Sequence, residues 1–130
     1  AATQALLYRL ASGDSNRIHV DTSAADMLGS EKSAPLLHGL CTLGIVFRAF
    51  LQLVPSANET IRKLEGKFTQ PVFVGDVLCV RIWSDEEQQQ PETIQRFLFD
   101  VIDKNMGVKL VDCGSAEFLQ KEASKKLSKL

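Results

Sequence analysis

The sequence predicts an α+β domain in which a curved antiparallel sheet wraps one long central helix. Leu36 to Val54 is apolar except for His38, Thr42, Arg48 and Gln52. From residue 61 the pattern changes to four strand-like runs, Ile61–Phe68, Val77–Trp83, Thr93–Asp103 and Val108–Leu119, with frequent alternation. The length, 130 residues, suits a single domain that buries roughly two-thirds of the surface its unfolded chain exposes.

In chain order, residues 5–11 (ALLYRLA) read as a strand, ended by the dense turn signal Ser12-Gly13-Asp14-Ser15-Asn16. Asp21-Thr22-Ser23 predicts the cap of a short helix through Leu28, with Gly29 as its stop. Residues 30–35 form a loop closing at Pro35. The apolar stretch that follows would be roughly 28 Å long as a helix. Its length is borderline for a membrane span, but an Arg and a His inside it argue against one. Apolar side chains on nearly every face predict a helix wrapped by other elements. The four strand-like runs are separated by Gly75-Asp76, the polar stretch Ser84–Glu92 and Asn105-Met106-Gly107, which predicts an antiparallel meander. Phe68, Phe73, Trp83, Phe97 and Phe99 are expected in the core, with any contact to a ligand secondary. Only Glu86–Gln90 is of low complexity, and no internal repeat is present. Residues 1–120 are assigned to the domain and 121–130 to a basic tail.

The composition narrows the function classes. Hydrophobic residues at 45% and charged residues at 24% are ordinary globular values, which disfavour disorder and membrane classes. A net charge of -1 gives no reason to expect a nucleic-acid partner, because phosphate binding leans on clustered Lys and Arg. Cys41, Cys79 and Cys113 form no CxxC pair and no Cys/His cluster, so neither a metal site nor a disulfide framework is expected. They read as reduced and mostly packed, in an intracellular compartment. The chain opens without Met or a secretory signal and enters an ordered segment almost at once, which reads as a piece of something longer.

Asp14 and His19 are the candidates for proton transfer. Five residues apart, they would diverge on a regular strand or helix, so only an irregular segment aims both at one point. Gly13 to Asn16 provides that irregularity. A carboxylate and an imidazole meeting at one water can orient it, take its proton and return a proton elsewhere. The plainer reading has Asp14 closing the turn on its own backbone and His19 simply packed. His38-Gly39, at the head of the long apolar stretch, is the second candidate. If the helix begins near His38, the Gly39 amide is an unpaired donor able to hold a thioester oxygen. If Pro35 is the first helical residue, that amide turns inward instead. His38 reads as a core histidine or one that supports its neighbours. No GxSxG elbow, HExxH or phosphate-binding Gly-rich loop is present, and Cys41 reads as a packed side chain.

With these residues in view, the chain resembles the hydratase 2 family, a branch of the MaoC-like dehydratases, from Tyr8 to about Leu119. The sharpest block is Tyr8-Arg9-Leu10-Ala11-Ser12-Gly13-Asp14-Ser15-Asn16-Arg17-Ile18-His19, followed by Ala24-Ala25. A second block, Leu37-His38-Gly39-Leu40-Cys41-Thr42-Leu43-Gly44, resembles the family's helix start, and a third, Lys67 to Asp76, its Pro-Val-x-x-Gly turn. The resemblance implies a hot-dog fold and syn addition of water to a trans-2-enoyl-CoA, giving (3R)-3-hydroxyacyl-CoA. It implies that Asp14 and His19 grip the water, that Asn16 helps arrange the site, and that the Gly39 amide is the oxyanion donor. No cofactor is implied, since coenzyme A is part of the substrate. Arg17 departs from the family, which has Pro there to stiffen the loop; the Arg is expected either to loosen it or to reach a coenzyme A phosphate.

Eukaryotic relatives carry two hot-dog repeats, and this chain resembles the second, as in peroxisomal multifunctional enzymes. Pairing with another repeat or with a second copy is therefore expected. Ser128-Lys129-Leu130 matches a peroxisomal address read by an import receptor. Two rival functions are a hot-dog thioesterase and an acyl-CoA-binding or assembly module. The first is disfavoured because Leu36–Val54 contains no Asp or Glu.

Overall fold

The computed structural model describes residues 2–27, 32–54, 61–85 and 94–119. Among the described residues, three helices, α1 (Ala2–Ser12), α2 (Thr22–Asp26) and α3 (Gly39–Leu53), precede four strands: β1 (Ile61–Phe68), β2 (Leu78–Ser84), β3 (Ile94–Asp103) and β4 (Lys109–Leu119). A single 3-10 turn, Arg17–His19, lies between α1 and α2. The α+β class is as predicted, and the strands fall within about one residue of their expected runs.

The first element is a correction. Residues 5–11 are helical, not extended. A seven-residue apolar run does not separate the two by periodicity, and here propensity decides: Gln, Ala, Leu and Arg are strong helix formers and β-branched residues are scarce. Ala5 is buried and Tyr8 half-buried on the inner side of α1, while Leu6, Leu7 and Leu10 face out. The helix ends on Gly13, whose φ of 71° is natural only for glycine, and whose N–H bonds back to the Arg9 carbonyl at 3.0 Å. α2 is capped as expected: the Asp21 side chain accepts from the Ser23 N–H at 3.0 Å. Its predicted continuation to Leu28 and the stop at Gly29 lie outside the described residues.

The long helix starts later than the apolar stretch does. Leu36 forms an isolated antiparallel bridge with Phe73, and the Leu37 N–H bonds the Val72 carbonyl at 2.7 Å. Those bonds keep Leu36 and Leu37 extended. His38 becomes the N-cap (φ −60°, ψ 136°), so Gly39 is the first helical residue and Pro35 is not. Lys32 secures the approach by bonding Asp76 at 2.7 Å and Asp103 at 3.0 Å.

The sheet order is β1-β4-β3-β2, antiparallel throughout. β2, β3 and β4 form the expected meander, but β1 sits beside β4, not beside β2. Residues 69–77 make this possible, crossing to lie against Leu36 and Leu37 before β2 begins. β4 is bulged near Cys113, at φ 50°, with register shifts toward both neighbours. Such bulges bend and twist a sheet, here around α3. The centre of the contact is aromatic: Phe50 of α3 meets Phe97, Phe99 and Phe118 with ring centroids 5.8, 5.8 and 5.4 Å apart. Gly114 lets Phe99 lie flat on β4, since a Cβ there would fall 2.6 Å from its ring.

Three burial expectations need correction. α3 buries one broad face (Cys41, Thr42, Val46, Phe50) and leaves Leu40 and Leu53 exposed, so the described residues do not cover it all round. Phe68 and Trp83 are exposed, because β1 and β2 are the edge strands, whereas Phe73, Phe97 and Phe99 are buried as expected. Cys113 is exposed, Cys79 intermediate and Cys41 buried, and all three are free. No helix among the described residues is long and apolar enough to cross a membrane.

Candidate active site

Three separate pieces of chain meet at one point. The loop after α1 brings Asp14, the 3-10 turn brings His19, and the N-cap of α3 brings His38. Asp14 Oδ2 lies 3.7 Å from His19 Nε2 and 3.8 Å from His38 Nε2. Both separations exceed a direct hydrogen bond.

The loop that aims Asp14 is held by local chemistry. Its Oδ1 accepts the Asn16 N–H at 3.0 Å, leaving Oδ2 toward the imidazoles. Arg9 reaches from α1 to bond the carbonyls of Asp14 (3.3 Å) and Asn16 (3.0 Å). Asn16 itself caps the 3-10 turn, its Oδ1 accepting the Ile18 N–H at 3.3 Å. Arg17 pairs with Asp21 across one turn at 2.5 Å, so it ties the 3-10 turn to the start of α2. The Asn16 hydrogen bond, and then the positive character of His19, His38 and Arg9, hold the Asp14 carboxyl below its ordinary 3.8. It is a carboxylate at neutral pH.

His19 is buried, and its Nδ1 is 2.8 Å from the Leu36 carbonyl oxygen. A carbonyl only accepts, so Nδ1 carries a proton, and in the neutral form of the ring the lone pair is then at Nε2, toward Asp14. The Leu36–Phe73 bridge that delays α3 thus also supplies the carbonyl that sets this tautomer. His38 stacks on His19 with centroids 3.7 Å apart and an interplanar angle of 20°, and the Tyr8 ring also lies against it, tilted by 48° with centroids 4.7 Å apart. Sequence reasoning placed His38 at the helix head but missed this stack, which depends on the nonlocal bridge.

Burial, and next the charge of His19, hold His38 below its ordinary 6.5; Asp14 opposes this and Arg9 adds to it. Below pH 6.5 the unfolded chain therefore binds a proton that the folded chain refuses, so stability rises with pH through that window. We expect the melting temperature to fall between pH 7 and pH 5, with a shallower fall in His38→Phe. An unchanged acid slope in that variant, measured by thermal melts, would contradict the assignment.

Gly39 stands next to His38 as the first residue of α3. Its N–H is among the four helix donors without an intrahelical acceptor, at the positive end of the helix dipole. It borders a cavity of about 360 Å³ lined also by Leu36, Leu37, Phe68, Gln70 and Val72. A Cβ on residue 39 would lie 3.3 Å from the Phe68 ring, so glycine keeps this mouth open. Asp14, His19 and His38 also form a possible metal-donor set, with atoms within 4.8 Å of one another. The near-parallel stack fits a metal poorly: an ion between the rings would sit out of both planes at bonds of about 2.0–2.1 Å. Hydrogen bonds are longer and bend more readily.

The MaoC-like domain model matches residues 1–101. The chain belongs to the MaoC-like dehydratase family. It is 42% identical over 82 residues to peroxisomal enoyl-CoA hydratase 2 of Arabidopsis thaliana, covering 62% of this chain and 26% of that protein. It is 37% identical over 109 residues to peroxisomal multifunctional enzyme type 2 of Mus musculus, covering 83% of this chain and 14% of that protein. The chain thus spans about a quarter or less of the length of these two relatives. Among solved structures, the R-hydratase PhaJ1 of Pseudomonas aeruginosa superposes with a TM-score of 0.71 at 28% identity, covering 92% of this chain and 73% of that one. This MaoC-like chain therefore has the hot-dog fold, with α3 as the helix that the sheet wraps.

Proposed function

We propose that the chain hydrates trans-2-enoyl-CoA to (3R)-3-hydroxyacyl-CoA, in fatty-acid β-oxidation. The observation that supports it most is the approach of the Asp14 carboxylate to His19 Nε2 at 3.7 Å, with Nδ1 of that ring held by the Leu36 carbonyl and the helix start at Gly39 next to His38. Two acceptors facing one water take its two protons in hydrogen bonds and turn an oxygen lone pair outward. That lone pair attacks C3 of the enoyl thioester and forms the C3–O bond. The π electrons move through C2 toward the thioester oxygen, where the Gly39 amide stabilises the developing charge. One proton of the water passes to the Asp14–His19 pair and is returned to C2 on the same face, so atoms and charge balance with no cofactor. The pair titrates as a unit, so the first acceptor is not divided between the two residues.

The exposed Leu40 and Leu53 of α3 and the edge strands β1 and β2 favour pairing with a second hot-dog, either another copy or a companion repeat. A peroxisomal location agrees with the names of the two relatives and with the terminal Ser128-Lys129-Leu130, which would engage the import receptor. That tripeptide and the whole 121–130 tail lie outside the described residues.

The test is to incubate the chain with crotonyl-CoA and with a medium-chain trans-2-enoyl-CoA and follow the conjugated thioester absorbance. Loss of absorbance without free thiol is expected. Release of thiol would point to a thioesterase, and binding without turnover to an acyl-CoA-binding module.

A further inference from the structure

His38 is 3% exposed, yet neither of its ring nitrogens has a hydrogen-bond partner among the described residues. Its carbonyl accepts the Thr42 N–H at 3.1 Å and the Thr42 hydroxyl at 3.4 Å, and its ring lies against Tyr8 and His19. A buried polar atom ordinarily finds a partner, in protein or in ordered water. Nε2 faces Asp14 Oδ2 at 3.8 Å, and that same oxygen lies 3.7 Å from His19 Nε2. Such gaps are too long for direct bonds and short enough for one water to touch both sides.

We infer that His38 is a third contact for the attacking water, its Nε2–H donating to the water oxygen while Asp14 and His19 accept the water's two protons. The inference rests on the hydration reading above. A water molecule has two protons and two lone pairs. Asp14 Oδ2 and the bare His19 Nε2 occupy the protons, so a third acceptor has nothing to accept. A donor is what the remaining geometry calls for, and neutral His38 with its proton on Nε2 supplies it. Three contacts stop the water from turning and leave one lone pair, directed at C3 of the substrate. The role requires His38 to be neutral with one ring N–H, and its burial favours that form. The groups facing it are Tyr8 and Arg9 of α1, Asp14, and His19; of these only Asp14 favours a charged ring.

Two variants of the full chain separate this role from packing. His38→Phe keeps an aromatic ring for the His19 stack and the Tyr8 contact but has no donor; His38→Gln gives up the ring but keeps an N–H. The expected result is a fall in kcat of about tenfold or more in His38→Phe, the worth of one lost hydrogen bond, with KM within about twofold and no loss of melting temperature at pH 7. His38→Gln should restore a large part of kcat. A packing role predicts the reverse order. The independent readout is a crystal structure of the chain at a resolution that places water. A water within about 2.7–3.2 Å of Asp14 Oδ2, His19 Nε2 and His38 Nε2 is expected, displaced in His38→Phe. An active chain whose His38→Phe variant keeps kcat within twofold would overturn the inference and leave the hydratase reading intact. Absence of hydration in the unaltered chain would instead overturn that reading; the water peak then decides alone, supporting the three-point site if present and ending it if absent.

Discussion

Asp14→Asn is expected to lower kcat for enoyl-CoA hydration by about 10³-fold, within the range general acid–base catalysis supplies. That is roughly 4 kcal/mol of transition-state stabilisation. The substitution is nearly isosteric, and the amide oxygen can still accept the Asn16 N–H that shapes the loop. What changes is the atom facing the imidazoles. An NH₂ in place of Oδ2 turns an acceptor into a donor, so the water can no longer give that group a proton. His19→Gln should do comparable damage by removing the lone pair at Nε2 and the Nδ1–H bond to the Leu36 carbonyl. KM should change much less than kcat in Asp14→Asn, since the coenzyme A portion need not touch this carboxylate. Steady-state kinetics on a medium-chain substrate, with far-ultraviolet circular dichroism as a control on folding, measures both effects. A folded Asp14→Asn enzyme with kcat within tenfold of the original would remove Asp14 from the chemistry.

The largest effect on stability is expected at Phe50. Its side chain is fully buried and meets three other phenylalanines, one on α3's path along β4 and two on β3. Phe50→Ala removes the centre of the helix-to-sheet contact and leaves a cavity that the rigid strands cannot close. Such truncations cost about 3–5 kcal/mol, a large share of the roughly 5–15 kcal/mol that stabilises a domain. For a chain of this size the melting temperature should drop by roughly 10–20 °C. Trp83, a larger ring but exposed on edge strand β2, is the control: Trp83→Ala should cost much less. Comparable losses at the two positions in urea titrations would contradict the burial pattern.

The contrast between Phe50 and Trp83 also shows where sequence reasoning reaches. Both are large aromatics in regular elements, and local pattern treats them alike. Only the strand order, with β1 and β2 at the edges, distinguishes them, and that order is a nonlocal property. The helix and the four strand runs were legible because their patterns extend over many residues. ALLYRLA was too short for periodicity to discriminate, and its propensity for helix was the better guide. The start of α3 was ambiguous between Pro35 and His38 because the deciding bond comes from Val72, far along the chain.

The site divides in the same way. The Gly13 turn beside Asp14 is a local signal, and the structure places Asp14 and His19 together through it. The approach of His38 to the same point needs α3 to begin at Gly39, and needs the Leu36 N–H bond to the Ile18 carbonyl, at 2.9 Å, to hold the segment before the helix against the 3-10 turn. No spacing within the sequence encodes that. Arg17 illustrates a third case: in place of the family's stiffening Pro, it makes an ion pair with Asp21 that ties the same turn down by charge. Asp21 is held at about 2 chiefly by Ser23 and then by Arg17, so it stays ionised well into acid.

The central claim concerns one face of one double bond, and the reverse reaction tests it most directly. Offer the chain (3R)-3-hydroxyacyl-CoA and (3S)-3-hydroxyacyl-CoA separately, and follow the growth of the conjugated thioester absorbance. The proposed hydration predicts dehydration of the (3R) thioester alone, lost in Asp14→Asn. Turnover of the (3S) thioester, or equal turnover of both, would contradict it.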